Sequence, residues 1–279
     1  MVDLQDALLA NADRLLVSAL TVLDLGHVAL ARSLAILGLE ESGKAIAIHE
    51  RRIEMAYVSE GEPFMCDQLE ELWASHERKL ELVHRFLVEE RYWFGAEPSN
   101  PAANAASLGS IRAWARRHDR SKQRGFYVDV SRTGAVMAPN DVADEDALRS
   151  VIQFVHQIGW QLRLGEHIEG KQQDSQEAGT PPMSDEDLAW LDKVASDLPQ
   201  DTRDTSIAIL QGMRAGHPGT PLRNSAYRFN PPDADRNPFR NLGKQGYEAQ
   251  DRQLDQLRDE LDRQVGEGGE GSANADAGP

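Results

Sequence analysis

The chain has 279 residues, with 30 Lys and Arg against 46 Asp and Glu, a net charge of −16 and a single cysteine, Cys66. One cysteine excludes an intrachain disulfide and a cysteine-only metal site, and the charge repels nucleic acid everywhere except at a local basic patch. The opening residues Met1-Val2-Asp3-Leu4-Gln5-Asp6 lack a signal peptide's basic flank and apolar core, and no stretch reaches the roughly 20 apolar residues of a spanning helix, so a cytoplasmic chain with no membrane contact is expected.

Leu4, Leu8, Ala12, Leu15, Ala19, Val22 and Leu23 recur at helical spacing and predict a first helix over 3–24, loosened at Gly26. A second periodic run covers about 27–58 and is broken by Gly61-Glu62-Pro63. A third helix is expected from Cys66 to Glu90 on the stripe Leu69, Leu72, Trp73, Leu80, Val83 and Leu87. The Pro/Asn/Ala-rich stretch 95–106 reads as a loop, and a fourth helix covers 107–122. Gly125-Phe126-Tyr127-Val128-Asp129-Val130 reads as a short extended piece beside the turn signal Thr133-Gly134. A fifth helix over 142–169 carries Val151, Phe154, Val155, Ile158, Trp160 and Leu162. Trp73, Trp160 and Trp190 are expected in the core.

The fold class is therefore all-α, a helical bundle over 1–170 with one extended insertion. Residues 171–183 form a linker, 184–215 a small helical unit with helices near 184–191 and 202–214, and 216–246 an irregular segment. An amphipathic helix over 247–265, on Leu254, Leu257, Leu261 and Val265, precedes a tail over 266–279 too poor in large apolar residues to fold.

Within the second helix the stripe runs Leu30, Leu34, Leu37, Glu41, Ala45 and Ile48, which places Glu41 on the buried side. An inward carboxylate must find a donor or take up a proton. Lys44 follows Glu41 by three and Glu40 by four, and both spacings pair along a helix. Further donors are expected from His76 and Lys79 on the third helix, which share a face with Leu80, and His84 lies two turns beyond His76.

The one basic concentration is Arg112, Arg116, Arg117, His118, Arg120, Lys122 and Arg124, against Asp119 alone, with Trp114 and Tyr127 alongside. Phosphates can dock on such a face while an aromatic ring stacks a base; the competing reading is a solvated helix face. Tyr127 and Asp129 alternate on the extended piece and point to one side. No metal or cofactor site is expected. His49, His76, His84, His118, His156 and His167 lack zinc-type spacing, and Lys44 stands where a Glu-x-x-His di-iron motif needs its His. Walker, dinucleotide and Gly-x-Ser-x-Gly signatures are absent.

Asn11-Ala12-Asp13-Arg14-Leu15-Leu16, the run Gly26 to Leu37 and Glu40-Glu41-Ser42-Gly43-Lys44 resemble the start of AbiV-type abortive-infection proteins, a bacterial phage-defence family. His76-Glu77-Arg78-Lys79-Leu80 and Arg124-Gly125-Phe126-Tyr127-Val128-Asp129 are similar to later segments of that family, and the likeness covers about 8–170. The resemblance implies a HEPN-like bundle, a homodimer, and interference with phage development through RNA or the translation apparatus, with a phage-encoded protein as activator. It also implies a metal-independent ribonuclease whose signature is an Arg followed four to six residues later by a His. Arg78 and His84 match that spacing, as do Arg112 and His118, although Lys79 and Ala113 follow the arginines where the commoner form has a different polar residue.

The candidate catalytic set is Arg78, His84, His76 and Glu41, supported by Glu40, Lys44, Lys79, Tyr127 and Asp129. The alternative is a non-catalytic binding module, switched by a phage protein, in which the same residues only fix the fold.

Overall fold

The computed structural model describes residues 1–93, 98–196 and 216–229. Their helices are α1 (Val2–Asp24), α2 (Val28–Met55), α3 (Asp67–Ala74), α4 (His76–Glu89), α5 (Pro101–Leu108), α6 (Ile111–Phe126), α7 (Glu145–Ala178) and α8 (Asp185–Ser196). The strands β1 (Asp129–Val130) and β2 (Val136–Met137) pair antiparallel, Asp129 opposite Met137 and Val130 opposite Val136. The fold is all-α, as the periodicity implies. No helix among the described residues is long and apolar enough to cross a membrane.

The chain divides into two compact units, which among the described residues are 1–52, 63–93 and 98–165 for the first, and 53–62, 166–196 and 216–229 for the second. The expected helix over 202–214, the amphipathic helix 247–265 and the tail 266–279 lie outside the described residues.

In the first unit, α1 buries Leu8, Leu9, Ala12, Leu16 and Ala19 on one face, and α7 buries Leu148, Val151, Val155, Ile158 and Leu162, a stripe at alternating three- and four-residue steps. α2 is buried on most of its circumference, through Ala31, Ala35, Ile36, Leu39, Ala45, Ile46 and Ile48. Leu30, Leu34, Leu37 and Glu41, expected to face the core, form its half-buried flank instead. A helix buried nearly all round has no single inside face for a periodicity to select, and small residues on the true inner face allow close packing. Gly38 illustrates this, since a Cβ there would lie 3.2 Å from the Ala12 carbonyl oxygen of α1.

Several expected elements are redrawn. The third helix is two, because Ser75 leaves helical geometry (φ −118, ψ 120) and its side chain accepts the Arg78 N–H, capping α4. The expected loop over 95–106 contains α5, started by Asn100 accepting the Ala103 N–H at 3.1 Å with Pro101 at the first helical position. Helix α6 runs to Phe126, so Gly125 and Phe126 are helical and the extended piece begins after them. Trp190 is 64% exposed, and the fully buried tryptophan is Trp114 at 1%.

In the second unit, α7 continues to Ala178 through much of the expected linker. Its polar residues hold the segment 216–229. Gln173 Oε1 accepts the Phe229 N–H at 2.9 Å, Arg228 pairs with Asp174 at 2.9 Å and with Glu177, and Thr180 and His217 exchange backbone hydrogen bonds at 2.9 and 2.8 Å. The Ala56 carbonyl accepts the N–H groups of Arg223 and Asn224, both at 3.1 Å.

Candidate functional site

Helices α4 and α6 reach α2 at positions without a side chain. A Cβ on Gly43 would lie 2.7 Å from the Lys79 carbonyl oxygen, so the first turns of α4 seat directly on the α2 backbone. A Cβ on Gly125 would collide with Ser33 Oγ and the Ala29 carbonyl of α2. Ser33 Oγ donates to the Lys122 carbonyl oxygen at 2.8 Å, fixing α6 at that crossing. These contacts determine which polar residues meet.

They meet on Glu40, whose side chain is 4% exposed. Lys122 Nζ donates to Glu40 Oε1 at 2.5 Å, and His76 Nδ1 lies 2.5 Å from Glu40 Oε2. Lys122 also lies 3.1 Å from Asp119 Oδ1. Glu41, half-buried, accepts from Lys44 Nζ at 2.5 Å, and that ammonium sits 5.9 Å from the Trp73 ring centre. Glu40, rather than the expected Glu41, is therefore the inward carboxylate. With Nδ1 committed to Glu40, His76 keeps Nε2 without a hydrogen-bond partner among the described residues, and its side chain is 56% exposed. A carboxylate at one imidazole nitrogen and an open second nitrogen orient a histidine for proton transfer.

Lys79, one turn beyond His76, is 5% exposed. Burial lowers its pKa from 10.5; Glu40 raises it, Lys44 lowers it, Glu41 raises it and Lys122 lowers it again.

The two Arg–His spacings do not converge in this chain. Arg78 pairs with Glu71 on the exposed side of α4. His84 turns inward, with Nε2 2.9 Å from the Gly109 carbonyl oxygen and its ring edge-on to Trp114 at 5.6 Å. Six helical steps place two side chains about 120° away from a shared face. Arg112 is exposed, whereas His118 is buried, its Nδ1 2.9 Å from the Trp114 carbonyl oxygen and its ring 4.0 Å from the Trp114 ring. Burial pushes the His118 pKa down to about 4, the Trp114 carbonyl opposes this, and Arg117 and Arg32 reinforce it.

The basic set thus divides. Arg112, Arg116, Arg117, Arg120 and Arg124 are exposed on α6, with Arg116 3.7 Å from Glu77 of α4, while His118 and Lys122 point inward. The inward stripe Trp114, Ala115, His118, Lys122 and Gly125 has helical spacing, which is the signal that would have separated Lys122 from the exposed arginines. Tyr127 is 69% exposed beyond the end of α6, and Asp129 is exposed with its carboxylate accepting the Val130 N–H. Among the described residues, no group of three or more His, Cys, Asp or Glu is placed to hold a metal ion.

No curated protein matches this chain. No solved structure matches it either. A family model described as AbiV, of the HEPN type, matches residues 1–160, the segment that contains Glu40, His76, Lys79, Lys122 and the arginine face. The match covers more than half of the chain, so the protein belongs to the AbiV family of HEPN proteins, a membership that points to phage defence by abortive infection.

Proposed function

We propose that this protein carries out abortive infection by acting on RNA, as a metal-independent HEPN-type ribonuclease whose working histidine is His76. The observation that carries the reading is the Glu40–His76 contact, a buried carboxylate on Nδ1 with Nε2 left open, beside the arginine face of α6. In this reaction His76 Nε2 takes the proton of a ribose 2′-OH. The 2′-oxygen bonds to phosphorus, the bond from phosphorus to the 5′-oxygen breaks, and that oxygen leaves as a hydroxyl with a proton from water. The products are a 2′,3′-cyclic phosphate and a 5′-hydroxyl end. Glu40 fixes the ring and stabilises the imidazolium that forms. Arg112, Arg116 and Arg120 recur every four residues along α6, about 6 Å apart, and present a row of cations to a phosphate backbone. The protein works in the cytoplasm, a homodimer would bring two such sites together, and translation stops because its RNA is cut.

The test is incubation of the purified protein with total bacterial RNA in EDTA, beside His76→Ala. Cleavage by the parent protein alone, leaving cyclic phosphate ends, is the expected result. Absence of cleavage with and without phage lysate would overturn the nuclease reading.

That outcome would favour a non-catalytic module switched by a phage-encoded protein. One observation favours this second reading: the β1–β2 hairpin and its approach expose Tyr127, Val128, Val130 and Val136, each at least 62% accessible.

A further inference from the structure

Around Glu40 stand three ammonium groups, Lys44, Lys79 and Lys122, and three carboxylates, Glu40, Glu41 and Asp119. Lys122 is taken by Glu40, which also holds His76, and by Asp119, and Lys44 is taken by Glu41. Lys79 is left over. It is 5% exposed, feels Glu40, Glu41 and both other lysines, and its ammonium has no hydrogen bond or ion pair among the described residues. Glu40 and Glu41 act on Lys79 through space but neither pairs with it, so its ammonium is available to a further anion.

The position of Lys79 identifies the anion. Lys79 and His76 are three residues apart on α4, so their side chains are neighbours on one face, the face that meets Glu40. A ligand on the Lys79 ammonium therefore lies within reach of His76 Nε2. Arg78, the other cation on that turn, is engaged with Glu71 on the exposed side. Lysine is a compact point charge suited to a phosphate oxygen.

We propose that Lys79, and not Arg78, is the group that receives a phosphate at the His76 site, contacting a non-bridging oxygen and offsetting the charge that builds there. This rests on the reading of His76 as the working histidine. Lys79 transfers no proton; it stays an ammonium throughout, and the proton of the 2′-OH goes to His76. The ligand class is a phosphate group on ribose, which an RNA strand and a free nucleotide both present.

The test uses the full chain and three probes: inorganic phosphate, adenosine 3′-monophosphate, and a single-stranded oligoribonucleotide with a non-cleavable 2′-O-methyl backbone. Binding is followed by calorimetry and by the imidazole signals of His76. Variants are Lys79→Met, Lys79→Arg and Arg78→Met, each with its melting temperature. In the parent protein and Arg78→Met, the nucleotide binds and moves the His76 signal. Lys79→Met should weaken binding at least tenfold without lowering the melting temperature, because no hydrogen bond or ion pair is lost with the ammonium, and Lys79→Arg should recover part of the affinity. Tighter binding of the oligonucleotide than of the mononucleotide assigns the site to an RNA strand, and the reverse assigns it to a free nucleotide.

Unchanged binding in Lys79→Met, loss of binding in Arg78→Met, or no binding by the parent protein would each overturn the assignment. The two readings fail separately. Phosphate binding at Lys79 without RNA cleavage sinks the nuclease and keeps the site, whereas full cleavage by Lys79→Met sinks the site and keeps the nuclease.

Discussion

Glu40 on α2 and Lys122 on α6 stand 82 positions apart in the chain, yet they hold each other at 2.5 Å with side chains only 4% and 7% exposed. This pair joins the two helices that carry the motif and the arginine face, and His76 completes it from α4.

Removing one member leaves the other buried and uncompensated. Lys122→Met alone should destabilise the fold by roughly 3–5 kcal/mol. The double variant Glu40→Leu, Lys122→Met should recover a large part of that loss, with a coupling energy above about 1 kcal/mol in a urea-denaturation cycle. Strict additivity would mean the pair does not act as a unit.

Gly125 should tolerate no side chain. Gly125→Ala places a methyl group against the Ala29 carbonyl and Ser33 Oγ, and the overpacking should cost about 1–3 kcal/mol or more. Ser33→Ala in the same chain should not restore stability, since the Ala29 carbonyl is backbone and cannot move aside. Chemical denaturation of both variants checks this, and rescue by Ser33→Ala would place the conflict on the hydroxyl instead.

His118 gives the fold a defined acid response. Its folded pKa, lowered from 6.5 to about 4, means that between those values the unfolded chain binds a proton and the folded one does not. The His118 contribution is therefore complete above 6.5, falls as pH drops toward 4, and amounts to at most about 3 kcal/mol. Denaturation midpoints from pH 7 to pH 4 should decline less steeply in His118→Leu than in the parent protein. Equal slopes would rule His118 out as the source.

RNA association through the arginine face predicts a salt signature. Replacing Arg112, Arg116 and Arg120 by Gln should lower the slope of log affinity against log salt by about 2 for a single strand, at roughly 0.7 per phosphate. The fold should hold, because all three side chains are exposed. A slope that does not change would move RNA contact to another surface.

Much of this protein is readable from its residues in order. Repeats of Leu, Ala and Val at three and four steps give the helices, because burying a stripe needs only local periodicity. The motif Glu40-Glu41-Ser42-Gly43-Lys44 contains the inward carboxylate of the candidate site, and its glycine is the point where α4 meets α2. Short capping signals were also present: Ser75 splits the third helix and Asn100-Pro101 starts α5, although a stripe across the first and a Pro/Ala-rich composition in the second concealed them.

The choice among neighbours was made by the tertiary structure. Glu40 rather than Glu41 faces inward because α2 is enclosed on most of its circumference, so its orientation depends on the small residues against which α1, α4 and α6 pack. The same packing turned Lys122 and His118 away from the arginine surface and separated His84 from Arg78. Spacing along a helix fixes the angle between two side chains, but not which of them meets a partner from another helix. The Lys122–Glu40–His76 arrangement depends on three helices crossing at Gly43 and Gly125, and no local pattern in the chain encodes where those crossings fall.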